Sequence, residues 1–498
     1  MNGLDSAAAA ATVAVPAVAI PTLTVYLLTQ LLIIVYSSHR YLVLWRWWRL
    51  RDVPRALRPA APGLWPHVTV QLPVFNEPEV VQRLIDAVAR FEYPPDRLEI
   101  QVLDDSTDAT TVIARAAAAG HRARGIDIAV HHRGTRRGFK AGALAEGLRH
   151  ARGEFIAVFD ADFVPPPDFL ERMLPHFTHS DVGMVQARWG HLNRDRSLFT
   201  EAQAVMLDAH FVLEHEVRMR YGLFFNFNGT AGIWRRECIE DAGGWSADTL
   251  TEDLDLSYRA QLAGWRFVFE PDVVCPGELP GDIEALKSQQ RRWTQGAIQT
   301  AVKMLPRVWA STASRAAKIE AVFHLTCNLT YPLLLALIAL TLPVMLSAPP
   351  TRSWLGTLVQ FAVIACGVVP VMLFLVVGQW AAGGRGAWQI ARGTFAAMVL
   401  GMGLSVNNAR AAMRGFGRVP GDWERTPKTG DQMSRPALAR RPAPARSGWI
   451  EVGLACYCAS LALIAESIGH VRALPFILLL VIAFWSVGWA SRRTAASR

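Results

Sequence analysis

The feature that most constrains the fold is the position of long apolar runs at both ends of the chain. Residues 7–36 read AAAAATVAVPAVAIPTLTVYLLTQLLIIVY and are almost uncharged. A helix needs about 20 apolar residues to span a bilayer, where every backbone polar group must be paired internally. Further spans are predicted near 321–346, 354–380, 449–468 and 472–490. The chain is therefore expected to hold a polar domain between membrane helices.

Charged and aromatic residues around the first run indicate its orientation. Four arginines alternate with three tryptophans directly after it: Arg40, Trp45, Arg46, Trp47, Trp48, Arg49 and Arg51. Such a belt lies at a membrane interface, and its basic residues stay on the cytosolic side. No Lys or Arg precedes the run, so we predict an anchor rather than a cleaved signal peptide. The net charge of +9 is assigned to this anchoring. Outside this belt, no basic run interleaved with aromatics suggests a nucleic-acid partner.

The predicted topology divides the chain into three parts. The loop 410–447 carries nine Arg and Lys residues against three acidic ones, so it is expected to be cytosolic. The C-terminal SRRTAASR is placed there too, which requires the apolar segment 387–409 to lie along the interface or re-enter rather than span. We predict an N-terminal transmembrane helix and interfacial belt (1–52), a cytosolic domain (53–310) and a C-terminal membrane domain (311–498).

The central part of the chain alternates strand-like and helical patterns. HVTVQLPVF, LEIQVLDD, IDIAVHHR and EFIAVFDAD are separated by helical stretches such as EVVQRLIDAVARF. This alternation predicts a mostly parallel sheet with helices on both faces. In such sheets ligands bind at the carboxyl ends of strands. Polar residues at 73–77, 104–108 and 160–162 fall at those ends, so we expect them to share one site.

Two predicted strands end on paired carboxylates. Asp160 and Asp162 form a D-x-D, which suits Mg²⁺ or Mn²⁺ held by carboxylates together with substrate phosphates. The alternative is a solvated turn. Asp104 ends its strand in the same way and could hydrogen-bond a nucleobase or ribose. The alternative there is a turn or helix cap, with Asp108 the better candidate for the cap.

Three later motifs add charge and an aromatic ring. Lys140 follows Gly138 at a predicted helix start, which favours a diphosphate site, although a solvent lysine is the alternative. Glu252 and Asp253 begin another helix and provide either a general base or only a cap. Gln289, Arg292 and Trp293 have a spacing that predicts one helix, which would carry a cation for phosphate and a flat ring for a sugar. The alternative is that Arg292 and Trp293 only anchor this helix at the membrane.

Together the motifs resemble those of a known family. PVFNE, DDSTD, KAG, DAD, FNGTAGIWR, TED and QQRRW occur in this order over residues 68–300. The set is similar to processive, membrane-integrated family 2 glycosyltransferases, above all the cellulose-synthase-like β-mannan/glucomannan synthases and their bacterial relatives. Each motif is weak alone, but the ordered set is specific and covers roughly half of the chain. The resemblance implies an α/β GT-A nucleotide-sugar-binding domain joined to an α-helical transmembrane domain.

The resemblance also implies roles for particular residues. Asp104 would contact the nucleoside, Lys140 the diphosphate, and Asp160 and Asp162 the nucleotide and metal. Asp253 would be the catalytic base, with Glu252 beside it in the substrate site. The diphosphate and acceptor end would be held by Gln289, Arg292 and Trp293, and the acceptor terminus would be lined by Phe227, Asn228, Gly229 and Thr230. The stretch WERTPKTG resembles the F-x-V-T-x-K gating loop through Trp423, Thr426 and Lys428, whereas Arg425 and Pro427 depart from that pattern.

Two activities are expected from this resemblance. One is inverting, processive transfer of a hexose from GDP-mannose or UDP-glucose onto a β-linked glycan, coupled to translocation. The other is non-processive glycosylation of a lipid such as diacylglycerol, ceramide or polyprenyl phosphate, because glucosylceramide synthases share Q-x-x-R-W. Expected partners are the donor, a glycan or lipid acceptor, the bilayer and accessory secretion subunits. The Ala/Arg-rich bias and short loops between motifs indicate a bacterial plasma (inner) membrane rather than a Golgi membrane.

Overall fold

The first described helix is long enough to cross a bilayer. The structure, a computed structural model, describes residues 19–54, 65–347, 354–417, 430 and 448–496. Helix α1 (Ala19–Leu50) has 32 residues, which corresponds to a length of about 48 Å. Its apolar side chains, among them Leu31 and Leu32, are largely exposed, as expected where lipid is the neighbour.

Seven strands form one sheet in the central domain, in the order β3-β2-β1-β4-β6-β5-β7. The strands are β1 (Val68–Val74), β2 (Leu98–Asp104), β3 (Ile128–His132), β4 (Phe155–Val158), β5 (Val182–His191), β6 (Gly232–Arg235) and β7 (Arg266–Gly277). Strand β6 runs antiparallel to β4 and β5, whereas the other neighbouring pairs are parallel. The predicted mixed, mostly parallel sheet is confirmed.

Helices cover both faces of this sheet. They are α2 (Val81–Val88), α3 (Thr110–Arg122), α4 (Phe139–His150), α5 (Phe169–Met173), α6 (Leu198–Ala209), α7 (Glu216–Arg220), α8 (Arg236–Asp241), α9 (Glu252–Leu262) and α10 (Ile283–Ala310). A π-helical turn, His210–His215, joins α6 to α7. Strand β1 is buried along its whole length. Its Val70 and Leu72 pack with α2, whereas Ile156 of β4 packs on the other face with Leu144 of α4.

Short 3₁₀ helices lie between the main elements, at Pro95–Arg97, Leu174–Thr178, Arg194–Arg196, Cys327–Leu329 and Val471–Ala473. Helix α3, which follows β2, begins at Thr110. The Asp108 carboxylate accepts the N–H of Thr110 at 2.9 Å, so Asp108 does satisfy a donor at the helix start. Helix α4 begins at Phe139, which places Lys140 in the first turn as predicted.

The C-terminal part is helical throughout its described residues. Its helices are α11 (Arg315–Thr326), α12 (Thr330–Ser347), α13 (Trp354–Gly367), α14 (Val369–Ala382), α15 (Ala387–Gly403), α16 (Ser405–Gly415), α17 (Trp449–Ser467) and α18 (Leu474–Ala496). Five stretches of the described chain are long and apolar enough to cross a membrane: Ile20–Leu50, Arg315–Ser347, Thr357–Ala382, Trp449–Ser467 and Val471–Ala495. The last four overlap the spans predicted after residue 320.

The segment predicted to lie at the interface is broken. Helices α15 and α16 meet at Leu404 with a bend of 52°, the geometry of a broken span or a re-entrant segment. The interfacial placement of 387–409 therefore stays a prediction. Helix α15 packs on α6, and α16 packs on α10. A shared apolar cluster that includes Val205 of α6 and Leu400 of α15 joins the central domain to these helices.

Candidate active site

A cavity opens where the order of the strands reverses. Strand β1 lies between β2 and β4, so the chain leaves β1 in opposite directions, and such a point is where open α/β sheets bind ligands. Most of the predicted site residues line this cavity. They are Lys140, Asp160, Asp162, Asn228, Gly229, Glu252, Asp253, Gln289, Arg292 and Trp293.

Lys140 is the cation at the centre of the acidic groups. Its Nζ donates to Oδ1 of Asp160 at 2.5 Å and to the carbonyl of Gly229 at 2.8 Å, and it lies 3.9 Å from Oε1 of Glu252. Burial alone would lower the pKa of Lys140, but the carboxylates of Asp160 and Glu252 outweigh burial and raise it. Lys140 therefore stays protonated and holds positive charge where a diphosphate would need it.

The D-x-D carboxylates follow β4 and face the same cavity. The side chain of Asp160 is 34% exposed, and its backbone N–H donates to the Thr230 hydroxyl at 2.9 Å. The carbonyl of Asp162 accepts the N–H of Glu278 at 3.1 Å. The described residues contain no cluster of three or more acidic, His or Cys side chains that could hold a metal. A divalent cation at these two carboxylates would need phosphate oxygens and water as its remaining ligands.

Asp253 has the properties of a general base. It lies in the first turn of α9, where its Oδ1 accepts the N–H of Leu254 at 2.8 Å. Burial, together with the charge of adjacent Glu252, raises the pKa of Asp253 to about 7. Burial also raises the pKa of Glu252, against the opposing effect of Lys140. A carboxylate that titrates near neutral pH is matched to accepting a proton from a hydroxyl group.

Gly229 is required by both its backbone and its neighbours. Its φ of +83° lies in the left-handed region, and a Cβ here would lie 2.9 Å from Oδ2 of Asp253 and 3.4 Å from Nζ of Lys140. Any side chain would therefore push against the two groups that the cavity depends on. The positive φ and these two close approaches explain why the first glycine of the FNGTAG motif is required.

Helix α10 comes close to the start of α9 through a second glycine. A Cβ on Gly296 would lie 2.5 Å from Cγ2 of Thr251, so only a glycine permits this approach. The approach brings Arg292 into the cavity that holds Asp253. Burial lowers the pKa of Arg292, opposed by Glu252 and Asp160, but a guanidinium remains charged in proteins.

Aromatic rings form one wall of the cavity. Trp293 lies on the same face of α10 as Gln289, one turn away. Its ring centroid is 6.5 Å from that of Trp189, which in turn lies 5.1 Å from the ring of Phe163. Flat apolar rings next to charged groups suit a sugar, which has an apolar face and a polar rim.

The structure does not bring Asp104 to the cavity, in contrast to the predicted nucleoside contact. Its side chain is fully buried and accepts hydrogen bonds from the Ser106 N–H (2.9 Å), the Thr111 hydroxyl (2.6 Å) and the His132 Nδ1 (2.8 Å). Burial alone would raise the pKa of Asp104, but the hydrogen bonds from Thr111 and Ser106 outweigh burial and lower it. These contacts hold the strand end together and leave the Asp104 carboxylate without exposed surface, so the nucleoside contact stays a prediction.

Two of the four residues predicted to line the acceptor terminus also lie away from the cavity. Phe227 is fully buried and packs edge-on against Trp234. Thr230 is fully buried as well, and its hydroxyl accepts the Asp160 N–H. Only Asn228 and Gly229 of this set face the cavity. The predicted gating residues Trp423, Thr426 and Lys428 lie outside the described residues.

Two further residues line the cavity: Asp105, which the sequence indicated only as one of the polar residues 104–108 at a strand end, and Arg136, which was missed. Asp105 lines the cavity beside Asp104 and pairs with Arg133, whose Nε lies 2.6 Å from its Oδ1. Arg136 lies over the ring of Phe75 at 3.4 Å, and burial lowers its pKa to about 10. The doubled aspartate and the arginine-rich RGTRRG before KAG were the available signals, but neither indicates which residue of each set faces inward.

Comparison with known proteins agrees with this geometry. Residues 66–296 match the family model described as "Glycosyltransferase like family 2". This part of the chain therefore matches a family 2 glycosyltransferase domain, and its mixed, mostly parallel sheet is GT-A-like. The resemblance predicted from the ordered motifs is confirmed.

The matched relatives are more specific. "Glucomannan 4-beta-mannosyltransferase 1" of Oryza sativa subsp. japonica is 45% identical over 249 residues, 49% of this chain and 48% of the relative. "Glucomannan 4-beta-mannosyltransferase 2" of Arabidopsis thaliana is 44% identical over 249 residues, 49% of this chain and 47% of the relative. The chain spans about half the length of these curated relatives. The solved structure of the mannosyltransferase PcManGT from Pyrobaculum calidifontis, in complex with GDP-Man and Mn2+, is 24% identical over 74% of this chain and 98% of its own, with a TM-score of 0.49.

Proposed function

We propose that the protein transfers a hexosyl group from a nucleoside diphosphate sugar to the end of a β-linked glycan at the cytosolic side of a membrane. The observation that carries this proposal is the convergence of three kinds of group on one cavity. Asp253 supplies a base, Asp160 and Asp162 supply metal ligands, and Lys140 and Arg292 supply fixed positive charge. The activity for which the matched relatives are named favours mannose as the hexose.

The bond-forming step uses Asp253. A hydroxyl of the acceptor attacks the anomeric carbon of the donor, the bond from that carbon to the diphosphate oxygen breaks, and the proton passes to the carboxylate of Asp253. A pKa of about 7 keeps a substantial fraction of Asp253 ionised at neutral pH while leaving it basic enough to accept the proton. One displacement inverts the anomeric centre, so an α-linked donor gives a β-linked product. No covalent sugar intermediate is required.

The departing diphosphate gains negative charge and needs cations that are already in place. Lys140 and Arg292 are held there by buried acidic neighbours, so little reorganisation is needed during the reaction. A divalent cation bound by Asp160, Asp162 and the diphosphate would supply Lewis-acid stabilisation of the same charge. Removing a divalent cation with a chelator is therefore expected to abolish transfer.

The acceptor is placed on the aromatic side of the cavity. Trp293 and Trp189 offer ring faces for a saccharide next to Asp253. Helix α10, which carries Trp293, packs on α16 and α11 of the C-terminal helices. This proximity would let a growing glycan leave through the membrane domain, and the two tryptophan rings, which suit the apolar face of a saccharide, favour a glycan acceptor over a lipid.

Product analysis tests the proposed function. Membranes containing the full chain would be incubated with labelled GDP-mannose or labelled UDP-glucose and a divalent cation. The label would then be followed into polymer, which a β-glycanase degrades, and into lipid, which an organic solvent extracts. We expect glycanase-sensitive polymer from GDP-mannose. Label only in monoglycosylated lipid would contradict polymer synthesis, and no transfer from either donor would contradict the proposed activity.

A further inference from the structure

The π-helical turn between α6 and α7 places two histidine side chains on the same side of the helix. In an α-helix, residues five apart lie about 140° apart around the axis. In the turn His210–His215 the extra residue places both imidazoles together, with ring centroids 4.5 Å apart. Such turns are rare and frequently occur at functional sites. Here both rings point towards Asn228, which lines the cavity beside Gly229.

The hydrogen bonds fix which atom of Asn228 faces which ring. The carboxylate of Glu214 lies 2.7 Å from Nδ1 of His210. Burial alone would raise the pKa of Glu214, but Arg218 and His210 hold it well below its usual value, so Glu214 is ionised and only accepts. His210 must therefore donate from Nδ1 and, in its neutral form, accept at Nε2. The amide nitrogen of Asn228, 3.2 Å from that Nε2, donates to it.

The second histidine completes the arrangement. His215 is fully buried, and burial, together with the charge of Arg218, holds its pKa well below its usual value. Neutral His215 donates from Nε2 to Oδ1 of Asn228 at 2.6 Å. Beyond these two bonds the Asn228 amide still has one N–H and one lone pair to offer. The two histidines fix the orientation of the Asn228 amide. Its remaining N–H and lone pair are suited to a hydroxyl-bearing ligand in the cavity.

A chain of ion pairs anchors this arrangement in the membrane helices. Arg218 lies 3.5 Å from Glu214 and its Nε lies 3.4 Å from Oε1 of Glu320 on α11. The other oxygen of Glu320 is 2.9 Å from Nε2 of His39 and 3.3 Å from Arg46, both on α1. Arg218 and Glu320 are both buried. Buried charges persist only when they are paired, so the series holds Glu214, and through it His210, in a fixed position.

We propose that His210 is a positioning residue for acceptor binding: it fixes the amide of Asn228 so that Asn228 hydrogen-bonds a hydroxyl of the acceptor saccharide next to Asp253. This inference rests on the proposed function and adds a residue that does not itself touch the substrate. The donor diphosphate lies with Lys140 and Arg292, so binding of the nucleotide sugar does not depend on His210.

Two substitutions separate the two hydrogen bonds of His210. His210→Asn places an amide nitrogen near the position of Nδ1, so it keeps a donor for Glu214 and loses the acceptor for Asn228. His210→Gln places an amide oxygen near the position of Nε2, so it keeps the acceptor for Asn228 and loses the donor for Glu214. A purely structural His210 would make His210→Gln the more harmful variant, because that substitution removes the hydrogen-bond donor of Glu214 and leaves this carboxylate with Arg218 alone.

The assay measures KM for both substrates with the purified full chain, a divalent cation, the sugar nucleotide and a soluble β-linked oligosaccharide. We expect His210→Asn to raise the acceptor KM about tenfold, the effect of one lost hydrogen bond, with donor KM within about twofold of wild type. His210→Gln is expected to change the acceptor KM less while lowering the melting temperature more. His121→Asn, which breaks the His121–Asp86 contact on α3, is the matched control and should change neither KM.

A double-mutant cycle with Asn228→Ala decides whether His210 acts through Asn228. If it does, adding His210→Asn to Asn228→Ala produces no further rise in acceptor KM. Independent, multiplying effects would overturn the inference, and so would an unchanged acceptor KM in His210→Asn. These outcomes differ from failure of the proposed function, in which the wild-type chain itself transfers no sugar to the oligosaccharide.

Discussion

Two neighbouring regions of the sheet end on paired aspartates, yet the two pairs have different surroundings. Asp104 at the end of β2 is fully buried and accepts three hydrogen bonds from its own chain. Asp160, just after β4, is 34% exposed on the cavity and is paired with Lys140. The sequence patterns QVLDD and AVFDAD are nearly alike. The difference teaches that a carboxylate at a strand end is a ligand-binding candidate only when nearby donors leave it accessible, and each variant below tests that distinction.

The largest effect is expected at Asp253, which belongs to the cavity. Asp253→Asn keeps the shape of the side chain but cannot accept the proton, so kcat should fall about 10³-fold. Binding of the nucleotide, measured by titration calorimetry, should change by less than about twofold. Asp96→Asn, on an exposed carboxylate outside the cavity, is the control and should retain full activity. Retained activity in Asp253→Asn would remove this residue as the base.

A smaller effect on activity is expected for Asp162, which lines the cavity together with Asp160. Asp162→Asn removes one anionic oxygen from the proposed metal site, so half-maximal activity should require about 10-fold to 100-fold more Mn²⁺. The melting temperature should remain close to that of wild type. An unchanged Mn²⁺ requirement would place the cation elsewhere.

The opposite pattern is expected at Asp104. Asp104→Asn replaces an anionic acceptor at a fully buried position, so the free energy of unfolding should fall by about 1–3 kcal/mol. The donor KM of the folded protein should remain that of wild type. A raised donor KM without a loss of stability would restore the predicted nucleoside contact.

The pH dependence of the free energy of unfolding also distinguishes the buried Asp104 from the carboxylates that line the cavity. The hydrogen bonds to Asp104 lower its pKa in the folded protein below the unfolded value. Its contribution to stability is therefore complete above the unfolded pKa and is lost as the pH falls through the folded pKa. Thermal unfolding followed by tryptophan fluorescence should show a weaker loss of stability in acid for Asp104→Asn than for wild type.

The smallest effect is expected in the pH profile of activity. Because Asp253 must be ionised to act, kcat/KM should rise with pH through an apparent pKa of about 7. The charge of Glu252 contributes to this raised pKa, so Glu252→Gln should move the acidic limb of the profile to lower pH. An acidic limb that does not move would mean that the charge of Glu252 does not contribute to the raised pKa of Asp253.

Much of the architecture was predictable because it follows from periodicity. Strands of alternating and continuous apolar residues gave the sheet, and apolar stretches of sufficient length gave the candidate spans. The bend between α15 and α16 was not predicted, although GMGLSVNN places Gly403 and Ser405, residues common at helix kinks, on either side of Leu404. Helix breaks of this kind depend on packing against neighbouring helices rather than on local pattern.

The motifs that form the site could be predicted from the sequence. The individual residues that face the cavity could be predicted less well. Lys140, Asp160 and Asp253 lie where their motifs placed them, because helix starts and strand ends converge on one edge of a parallel sheet. Which of Asp104 and Asp105 faces the cavity depends on donors from Thr111 and His132, which are distant in sequence. The role of His210 depends on a π-helical turn that has no signal in the helical pattern of α6 and α7.

The most direct test of the central claim is a cryo-EM structure of the full-length Asp253→Asn variant with GDP-mannose and Mn²⁺. The account predicts the diphosphate beside Lys140 and Arg292, the cation on Asp160 and Asp162, and the sugar facing residue 253, all in the one cavity. Nucleotide density at another site, or a diphosphate in this cavity out of reach of both Asp160 and Arg292, would contradict it.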